Sequence, residues 1–126
     1  MIRDYVKEIV KIIRSTKDAD KLKDLLSDYH EKDIAEAITQ LSGQERAKLY
    51  NILDIQTVAE IFSYIDDVQK YLEELTIDNA AKVVSYMDAD DAVDVLDDLS
   101  ENKKNEIVNN LDEVTGKDVR KLLSYE

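Results

Sequence analysis

A twelve-residue repeat is the feature that most limits how this chain can fold. Residues 42–123 divide into seven consecutive segments, of which six are twelve residues long and one, 66–75, is shorter. Each segment ends on a large apolar residue with apolar partners three, four and usually seven positions earlier, which is the spacing of one helix face. The repeat therefore predicts a series of short helices, each with one buried face. The closing residues are Leu53, Ile65, Leu75, Met87, Leu99, Leu111 and Leu123.

The first residue of each segment is one that commonly precedes a helix. A serine, threonine or aspartate there can accept a hydrogen bond from an unpaired backbone N–H of the first turn. Ser42 and Glu45 also fit the S-x-x-E capping box. Each segment then holds about nine helical residues and a turn, a helix too short to persist alone in water. The predicted N-caps are Ser42, Asp54, Asp66, Thr76, Asp88, Ser100 and Asp112.

The turn residues favour an all-helical chain. Proline is absent and only two glycines occur, so the chemistry that hairpins need is scarce. Before the repeat, amphipathic stretches at 2–14, 18–27 and 33–41 predict three further helices. We therefore predict an all-α fold, a compact superhelix of about ten short helices resembling armadillo and HEAT solenoids in principle. At 126 residues, we expect one domain spanning 1–126.

The recurring apolar positions also predict the core. Tyr64 and Tyr86 share one repeat position, and we expect both on the packed side of their helices. A sheet of several strands would contradict the repeat. The predicted buried residues are Leu53, Ile61, Phe62, Ile65, Leu72, Leu75, Val83, Met87, Leu96, Leu99, Leu111 and Leu123.

The charge of the chain restricts its partners. With 17 basic and 29 acidic side chains the formal charge is −12, which disfavours nucleic acid and anionic lipid and favours cations or basic surfaces. No run of eighteen apolar residues occurs, so we expect no membrane insertion of this chain. The charged start also lacks the cleavage site of a signal peptide, and a cytosolic environment is the simplest inference.

The residue types also argue against an enzyme. Cysteine is absent and His30 is the only histidine, which removes thiolate chemistry, paired histidines and a Ser-His-Asp set. A lone histidine near a helix start is more often a cap or packing residue than a ligand. A hydrolase that depends on carboxylates alone is kept as a remote third alternative.

The stretch MDADDAVDVLDDL at 87–99 concentrates aspartates on one helix. At about 100° per residue, five of them fall within an arc of about 120°, and the apolar residues occupy the rest. Asp90 and Asp94 are four residues apart and lie one above the other. A solvated acidic face is the ordinary interpretation of such a pattern. The five residues are Asp90, Asp91, Asp94, Asp97 and Asp98.

Three stretches in order resemble the amino-terminal cytosolic domain of MgtE-type magnesium channels. They are YHEKDIAEAITQL at 29–41, MDADDAVDVLDDL at 87–99 and VRKLLSYE at 119–126. The family pattern has a His-x-x-Asp-aliphatic start, short helices ending in leucine, a hydrophobic-x-x-Asp-Asp helix start and a Leu-Leu-x-Tyr ending. The similarity covers nearly the whole chain. The prolines common at helix starts in the family are missing here.

The resemblance implies regulation by magnesium. In this family, acidic residues of the domain face acidic residues of a CBS domain pair, and Mg²⁺ between them holds the assembly and the pore closed. The ion-facing acids fall here on Asp90, Asp94 and, in VAEIF, on Glu60. For Glu60 nothing local distinguishes a ligand from ordinary surface charge. The expected cofactor is Mg²⁺, bound weakly by the isolated domain.

The resemblance also implies partners. We expect a piece truncated before a CBS pair and a membrane domain, on the cytoplasmic side of the membrane, that forms a homodimer through the parent chain. The alternative is a helical interaction module without an ion role, such as the flagellar motor switch protein FliG. That family carries a Glu-His-Pro-Gln motif and a mixed-charge ridge, and neither is found here. The basic residues Lys103, Lys104, Lys117, Arg120 and Lys121 indicate either a docking surface or added solubility.

Overall fold

A computed structural model describes residues 3–111 of the chain, and this part is built from short helices. No strand occurs among these residues, so the predicted all-α class is confirmed for them. The segment from 112 onward, with Asp112, Leu123 and the predicted last helix, lies outside the described residues. The helices are α1 Tyr5–Ser15, α2 Ala19–Leu26, α3 Glu31–Ile38, α4 Gly43–Ile52, α5 Ile55–Phe62, α6 Gln69–Leu72, α7 Ile77–Ser85, α8 Ala89–Asp97 and α9 Glu101–Asn109.

The chain divides into two compact units, Met1–Ile65 (unit 1) and Asp66–Glu126 (unit 2). In unit 1, α1 packs against α3 and α3 packs against α5, while α2 contacts α1 and α4. The core of unit 1 includes Ile9, Ile13, Ile38, Ile61 and Phe62, each almost fully buried. The rings of Phe62 and Tyr50 are nearly perpendicular in an edge-to-face arrangement, with ring centroids 5.8 Å apart. The prediction of one domain stays a prediction.

In unit 2, as in unit 1, helices two places apart in the chain pack against each other, and α7 contributes small side chains. Here α7 packs against α9, again two helices along the chain. Ala80, Ala81, Val83 and Val84 of α7 are buried, and small residues allow two helices to approach closely. Within 66–111, the other buried residues are Val68, Tyr71, Leu72, Leu75, Ala92, Val93, Leu96, Leu99, Ile107, Val108 and Leu111.

The predicted N-caps are largely confirmed. The side chains of Ser42, Thr76 and Ser100 each accept a hydrogen bond from the backbone N–H three residues later. Ser42 and Glu45 form the complete capping box. Asp54 occupies the N-cap of α5 but makes no capping bond, and its Oδ1 accepts from Lys23 Nζ at 3.0 Å. Side-chain caps therefore satisfy orphan amides at the starts of α4, α7 and α9.

The prediction that Asp66 caps a helix is wrong. Residues 66–68 form a turn, and α6 begins only at Gln69 with Val68 at its N-cap position. The segment 66–75 is shorter than the others and holds a helix of one turn, which contains the buried Leu72, while the buried Val68 and Leu75 lie before and after it. Asp67 instead pairs with Lys70, with 3.5 Å between carboxylate and ammonium.

Most predicted core residues are buried, but three closing residues are only half-buried. Leu53, Ile65 and Met87 lie at or beyond the last helical residue, where the chain leaves the packed face. The placement of Tyr64 and Tyr86 on the packed side is wrong, since they are 50% and 55% exposed. Both follow the last helical turn, so helical periodicity no longer governs their direction. The confirmed core residues are Ile61, Phe62, Leu72, Leu75, Val83, Leu96, Leu99 and Leu111.

Polar contacts connect helices that are three apart in the chain. Arg14 of α1 donates from Nε to Glu45 Oε2 of α4 at 2.8 Å, and Lys48 of α4 donates to the carbonyl of Thr16 at 2.7 Å. In unit 2, Lys103 of α9 donates to the carbonyls of Glu73 and Leu75 after α6, at 3.4 and 3.3 Å. These lysines satisfy carbonyls at helix ends, which otherwise lack partners.

The Arg14–Glu45 contact makes stability depend on pH at the acidic end. The Arg14 guanidinium, together with the Ser42 backbone N–H, lowers the pKa of the Glu45 carboxyl from 4.5 to about 2. A carboxyl whose pKa is lower in the folded state stabilises the fold above its unfolded pKa, and the contribution is lost as pH falls through the folded pKa.

We therefore expect Glu45→Gln to destabilise the chain near neutral pH, with the difference from wild type shrinking between about pH 4.5 and about pH 2. Urea unfolding followed by circular dichroism at several pH values measures this difference. Glu36→Gln, the same change on an exposed face of α3, is the matched control and should behave like wild type. A Glu45→Gln deficit that persists undiminished at the acidic end would contradict the linkage.

Candidate functional site

The candidate site is the exposed side of α8, here called the acidic face and made of Asp90, Asp91, Asp94, Asp97 and Asp98. All five residues are exposed, although the Asp97 side chain is covered more, at 31% exposure, and Asp98 is the C-cap residue of the helix. The opposite side of α8 is buried through Ala92, Val93 and Leu96, followed by Leu99. The structure thus confirms the predicted division of this helix into an acidic and an apolar side.

Burial explains why α8 forms although aspartate is a poor helix former. Leu96 and Ala92 are fully buried and Val93 nearly so, which removes their apolar surface from water. Asp90 and Asp91 lie in the first turn, where the positive end of the helix dipole stabilises negative charge. Like-charge repulsion between Asp90 and Asp94 opposes these terms by only a few tenths of a kcal/mol. The apolar side therefore allows the exposed side to carry its charge.

One member of the acidic face is neutralised from the neighbouring helix. Lys104 of α9 donates from Nζ to Asp97 Oδ1 at 2.8 Å. Within residues 3–111, no ion pair involves the carboxylates of Asp90, Asp91, Asp94 or Asp98. The uncompensated part of the face is therefore Asp90, Asp91, Asp94 and Asp98, whereas the charge of Asp97 is compensated by Lys104.

Asp88 occupies the N-cap position of α8 as predicted, but its side chain makes no capping hydrogen bond. Its backbone is extended, with φ −61° and ψ 148°, and its carbonyl accepts from Ala92 N–H at 2.9 Å. Replacing an N-cap aspartate by alanine typically costs about 1 kcal/mol because a side-chain bond is lost. Because that bond is absent here, we expect a smaller loss.

Glu60 lies on the exposed side of α5, in unit 1, while Val58, Ala59, Ile61 and Phe62 of the same helix are buried. Its exposure agrees with the helical periodicity. No ion pair of Glu60 is found in the described part of the chain. The structure thus places Asp90 and Asp94 together on one face, whereas Glu60 belongs to a different unit.

His30 takes a structural role. It is the N-cap of α3, and its Nδ1 accepts from the backbone N–H of Lys32 at 3.0 Å. Its ring lies edge-on to Tyr64, with centroids 5.7 Å apart. The prediction of a cap or packing residue is therefore confirmed.

Lys103 and Lys104 have roles that sequence reasoning missed. The sequence predicts a docking surface or added solubility for the basic group that contains them. In the structure, Lys103 donates to helix-end carbonyls and Lys104 donates to Asp97. Their partners lie on other helices, and no local spacing marks such contacts. The remaining basic residues of that group lie outside the described residues.

No group of three or more histidine or acidic side chains is placed to hold a metal ion within residues 3–111. Each of the described helices is also too short or too polar to cross a lipid bilayer. The carboxylates of Asp90 and Asp94 have the hard oxygen donors that Mg²⁺ prefers, and an ion that keeps most of its waters suits two neighbouring ligands. Residues 3–111 thus form an all-helical fold with an exposed acidic face on α8.

Comparison with known proteins gives the family. Residues 29–126, more than half of the chain, match the family described as MgtE intracellular N domain. The chain therefore belongs to the MgtE intracellular N domain family. This is a family of transporter cytosolic domains and not of enzymes. Its description as intracellular is consistent with the cytoplasmic side expected from the sequence.

A solved structure has a similar fold. The chain is similar to "Crystal structure of the soluble part of a magnesium transporter", with a TM-score of 0.81 and 23% sequence identity. The match covers 97% of this chain and 49% of that one, so this chain spans about half of its length. At this sequence identity, the similarity between the two structures shows a shared fold. No curated protein gives a significant match.

The different environments of the aspartates predict different effects on stability. Asp18→Ala removes a capping bond from Lys21 N–H of 2.9 Å and should cost about 1 kcal/mol. Asp88→Ala should cost clearly less, because no such bond is lost. The double change Asp90→Asn/Asp94→Asn should leave stability within about 0.5 kcal/mol of wild type, since repulsion is relieved while a favourable dipole term is lost.

Urea unfolding of the three variants and wild type checks this order. Equal losses for Asp18→Ala and Asp88→Ala would show that Asp88 caps α8 in solution. A large loss in the double variant would show that the acidic face supports the fold rather than serving another purpose.

Proposed function

We propose that this chain is a regulatory cytosolic domain of a magnesium transporter or channel, and that the acidic face of α8 senses Mg²⁺. The observation that carries the proposal is the uncompensated part of that face, where Asp90 and Asp94 are exposed one turn apart. Membership of the MgtE intracellular N domain family supports a transporter as the parent protein. The similar fold of a magnesium transporter's soluble part supports the same parent.

The proposed mechanism is electrostatic. When magnesium is scarce, the acidic face and the acidic surface of a CBS domain pair repel each other, and the cytosolic assembly stays open. When magnesium is abundant, hydrated Mg²⁺ ions lie between the two surfaces, and their attraction to both favours closure of the assembly and of the pore. Ion binding and domain closure are therefore linked, and each increases the probability of the other.

The residues of this chain would supply only part of each ion site. Asp90 and Asp94 present oxygens on one face, and Mg²⁺ dehydrates reluctantly, so one or two protein ligands with retained waters suit it. The CBS pair supplies the facing carboxylates. Glu60 of unit 1 is proposed as a further ligand on the basis of the family pattern, and its exposed side chain is compatible with that role.

The proposal implies partners beyond this chain. They are the CBS pair, the membrane domain of the parent protein and a second copy that joins through the parent chain. The alternative, an interaction module without an ion role, predicts instead that changes on the acidic face weaken protein association equally with and without magnesium. A magnesium titration of the parent protein therefore separates the two functions.

The isolated chain should bind magnesium weakly. Without carboxylates from the partner, two ligands from α8 give a dissociation constant on the order of millimolar, and the structure should change little. Chemical-shift titration with MgCl₂ at constant ionic strength measures the affinity and identifies the residues that respond. Micromolar affinity, or a large rearrangement of this chain alone, would contradict a site shared between two surfaces.

In the parent protein, Asp90→Asn/Asp94→Asn should alter regulation and leave transport capacity intact. The change removes both the repulsion that favours the open state and the ligands that favour the closed one. The magnesium concentration for half-closure should then rise by about tenfold or the response should flatten, while the maximal conductance is retained. Electrophysiology over a range of cytosolic magnesium concentrations measures this response.

A matched control is available on α2, where Asp20 and Asp24 are also exposed and four residues apart. Asp20→Asn/Asp24→Asn makes the same change in net charge and should leave gating near wild type. If the α8 double variant gates like this control, the acidic face is ordinary solvated charge and the proposed function is wrong at this site. Lost conductance would assign the residues to permeation.

A further inference from the structure

His30 differs from the other side-chain caps within residues 3–111, because a proton taken up near neutral pH removes its acceptor. Its Nδ1 accepts a hydrogen bond from the backbone N–H of Lys32 at 3.0 Å. A ring nitrogen accepts only while it carries no proton, so this bond requires the neutral imidazole with its proton on Nε2. The other caps are hydroxyls, which do not titrate near neutral pH, or aspartates, which keep their acceptors to much lower pH. They are Asp4, Asp18, Ser42, Thr76 and Ser100.

A second partner for the same nitrogen lies on the same helix. The Oε2 atom of Glu31 is 4.0 Å from Nδ1, too far for a hydrogen bond but close enough for an ion pair once the ring is protonated. The side chains of His30 and Glu31 are 61% and 36% exposed, so neither is held in place by burial. Nδ1 can therefore accept from Lys32 when it is neutral and donate to Glu31 when it is charged.

The charges of α3 itself act on the ring in opposite directions. Glu31 and Asp33 lie in the first turn and favour a positive charge on His30. The exposed Lys32 and the positive end of the helix dipole disfavour that charge. The start of α3 therefore supplies interactions for both protonation states of the ring.

Two other elements contact the turn before α3. The ring of Tyr64, which follows α5, is steeply inclined to the imidazole, with centroids 5.7 Å apart. On the side of α1, Tyr29 donates to Glu8, and Glu8 pairs with Arg3. Tyr29 and His30 thus connect the start of α3 to α1 and to the end of α5, the two helices against which α3 packs.

We propose that His30 is a pH-sensitive switch at the start of α3. Near neutral pH its Nδ1 caps the helix through Lys32, and as pH falls the ring takes up one proton, releases that N–H and pairs with Glu31. The carbonyl of His30 still accepts from the N–H groups of Asp33 and Ile34, so α3 persists and only its first turn changes. Mild acidification thus alters the surface of unit 1 without unfolding it. This switch does not depend on the proposed magnesium response.

NMR of the 126-residue chain between about pH 8 and about pH 5 tests the switch. Long-range proton–nitrogen spectra show which ring nitrogen carries a proton, and amide exchange of Lys32 shows whether its N–H is bonded. The matched variant is His30→Asn, since asparagine is a good N-cap that does not titrate. On acidification, protection of the Lys32 amide relative to this variant should fall by about three- to tenfold, as expected for one lost capping bond. In the same spectra the Asn79 amide, capped by Thr76, should keep its protection.

Glu31→Gln tests the second partner. Glutamine keeps the side-chain length but forms no ion pair, so the release of the Lys32 amide should move to lower pH by a few tenths of a unit. Glu36→Gln makes the same change on an exposed face of α3 beyond the first turn, and should leave the release where it is in wild type.

Each outcome supports or overturns the switch. A proton on Nδ1 already at about pH 8, or a Lys32 amide that does not follow protonation of the ring, overturns it. Equal loss of protection in His30→Asn also overturns it, because a carboxylate would then explain the effect. If that variant does not fold, His30→Ser carries the same prediction. An unchanged release in Glu31→Gln overturns the exchange of partners. No magnesium is added, so the proposed function is tested separately.

Discussion

Burial of one apolar side per helix against another helix is the interaction on which the rest of this structure depends. Most of the described helices contain eight to eleven residues and α6 contains four, lengths that are marginal in water without tertiary contacts. In unit 1 the contacts run from α1 to α3 and from α3 to α5, and in unit 2 from α7 to α9. Each of these five helices is therefore stabilised by a neighbour two places along the chain.

A second set of contacts connects helices three places apart. Arg14 with Glu45, and Lys23 with Asp54, are each 31 residues apart, and Lys103 reaches the carbonyl of Glu73 over 30 residues. These contacts are polar and lie mostly at helix ends, where backbone groups and capping side chains offer partners. They add modestly to stability because they are exposed or half-exposed. These polar contacts recur at a nearly constant separation in sequence, just as the apolar residues recur about every twelve positions.

The acidic face of α8 can vary in charge because the core does not use it. Ala92, Val93 and Leu96 hold the helix in place, while Asp90, Asp91 and Asp94 project from the other side. Lys104 of α9 pairs with Asp97 near the end of this face. The side of α8 that stabilises the fold and the side that carries its charge are therefore opposite each other.

The sequence by itself determined the all-α class, the N-caps at Ser42, Thr76 and Ser100, and the two-sided character of α8, because these follow from periodicities within one helix. It also carried the resemblance to the family that residues 29–126 match. Tertiary structure decided what depends on distant partners or on where a helix ends: the exposure of Tyr64 and Tyr86, the one-turn α6, the uncapped Asp88, and the contacts of Lys103 and Lys104. Periodicity within a helix determines which side of that helix a residue occupies, but only as far as the helix extends. A side chain that contacts another helix acquires its partner only when tertiary packing brings the two helices together.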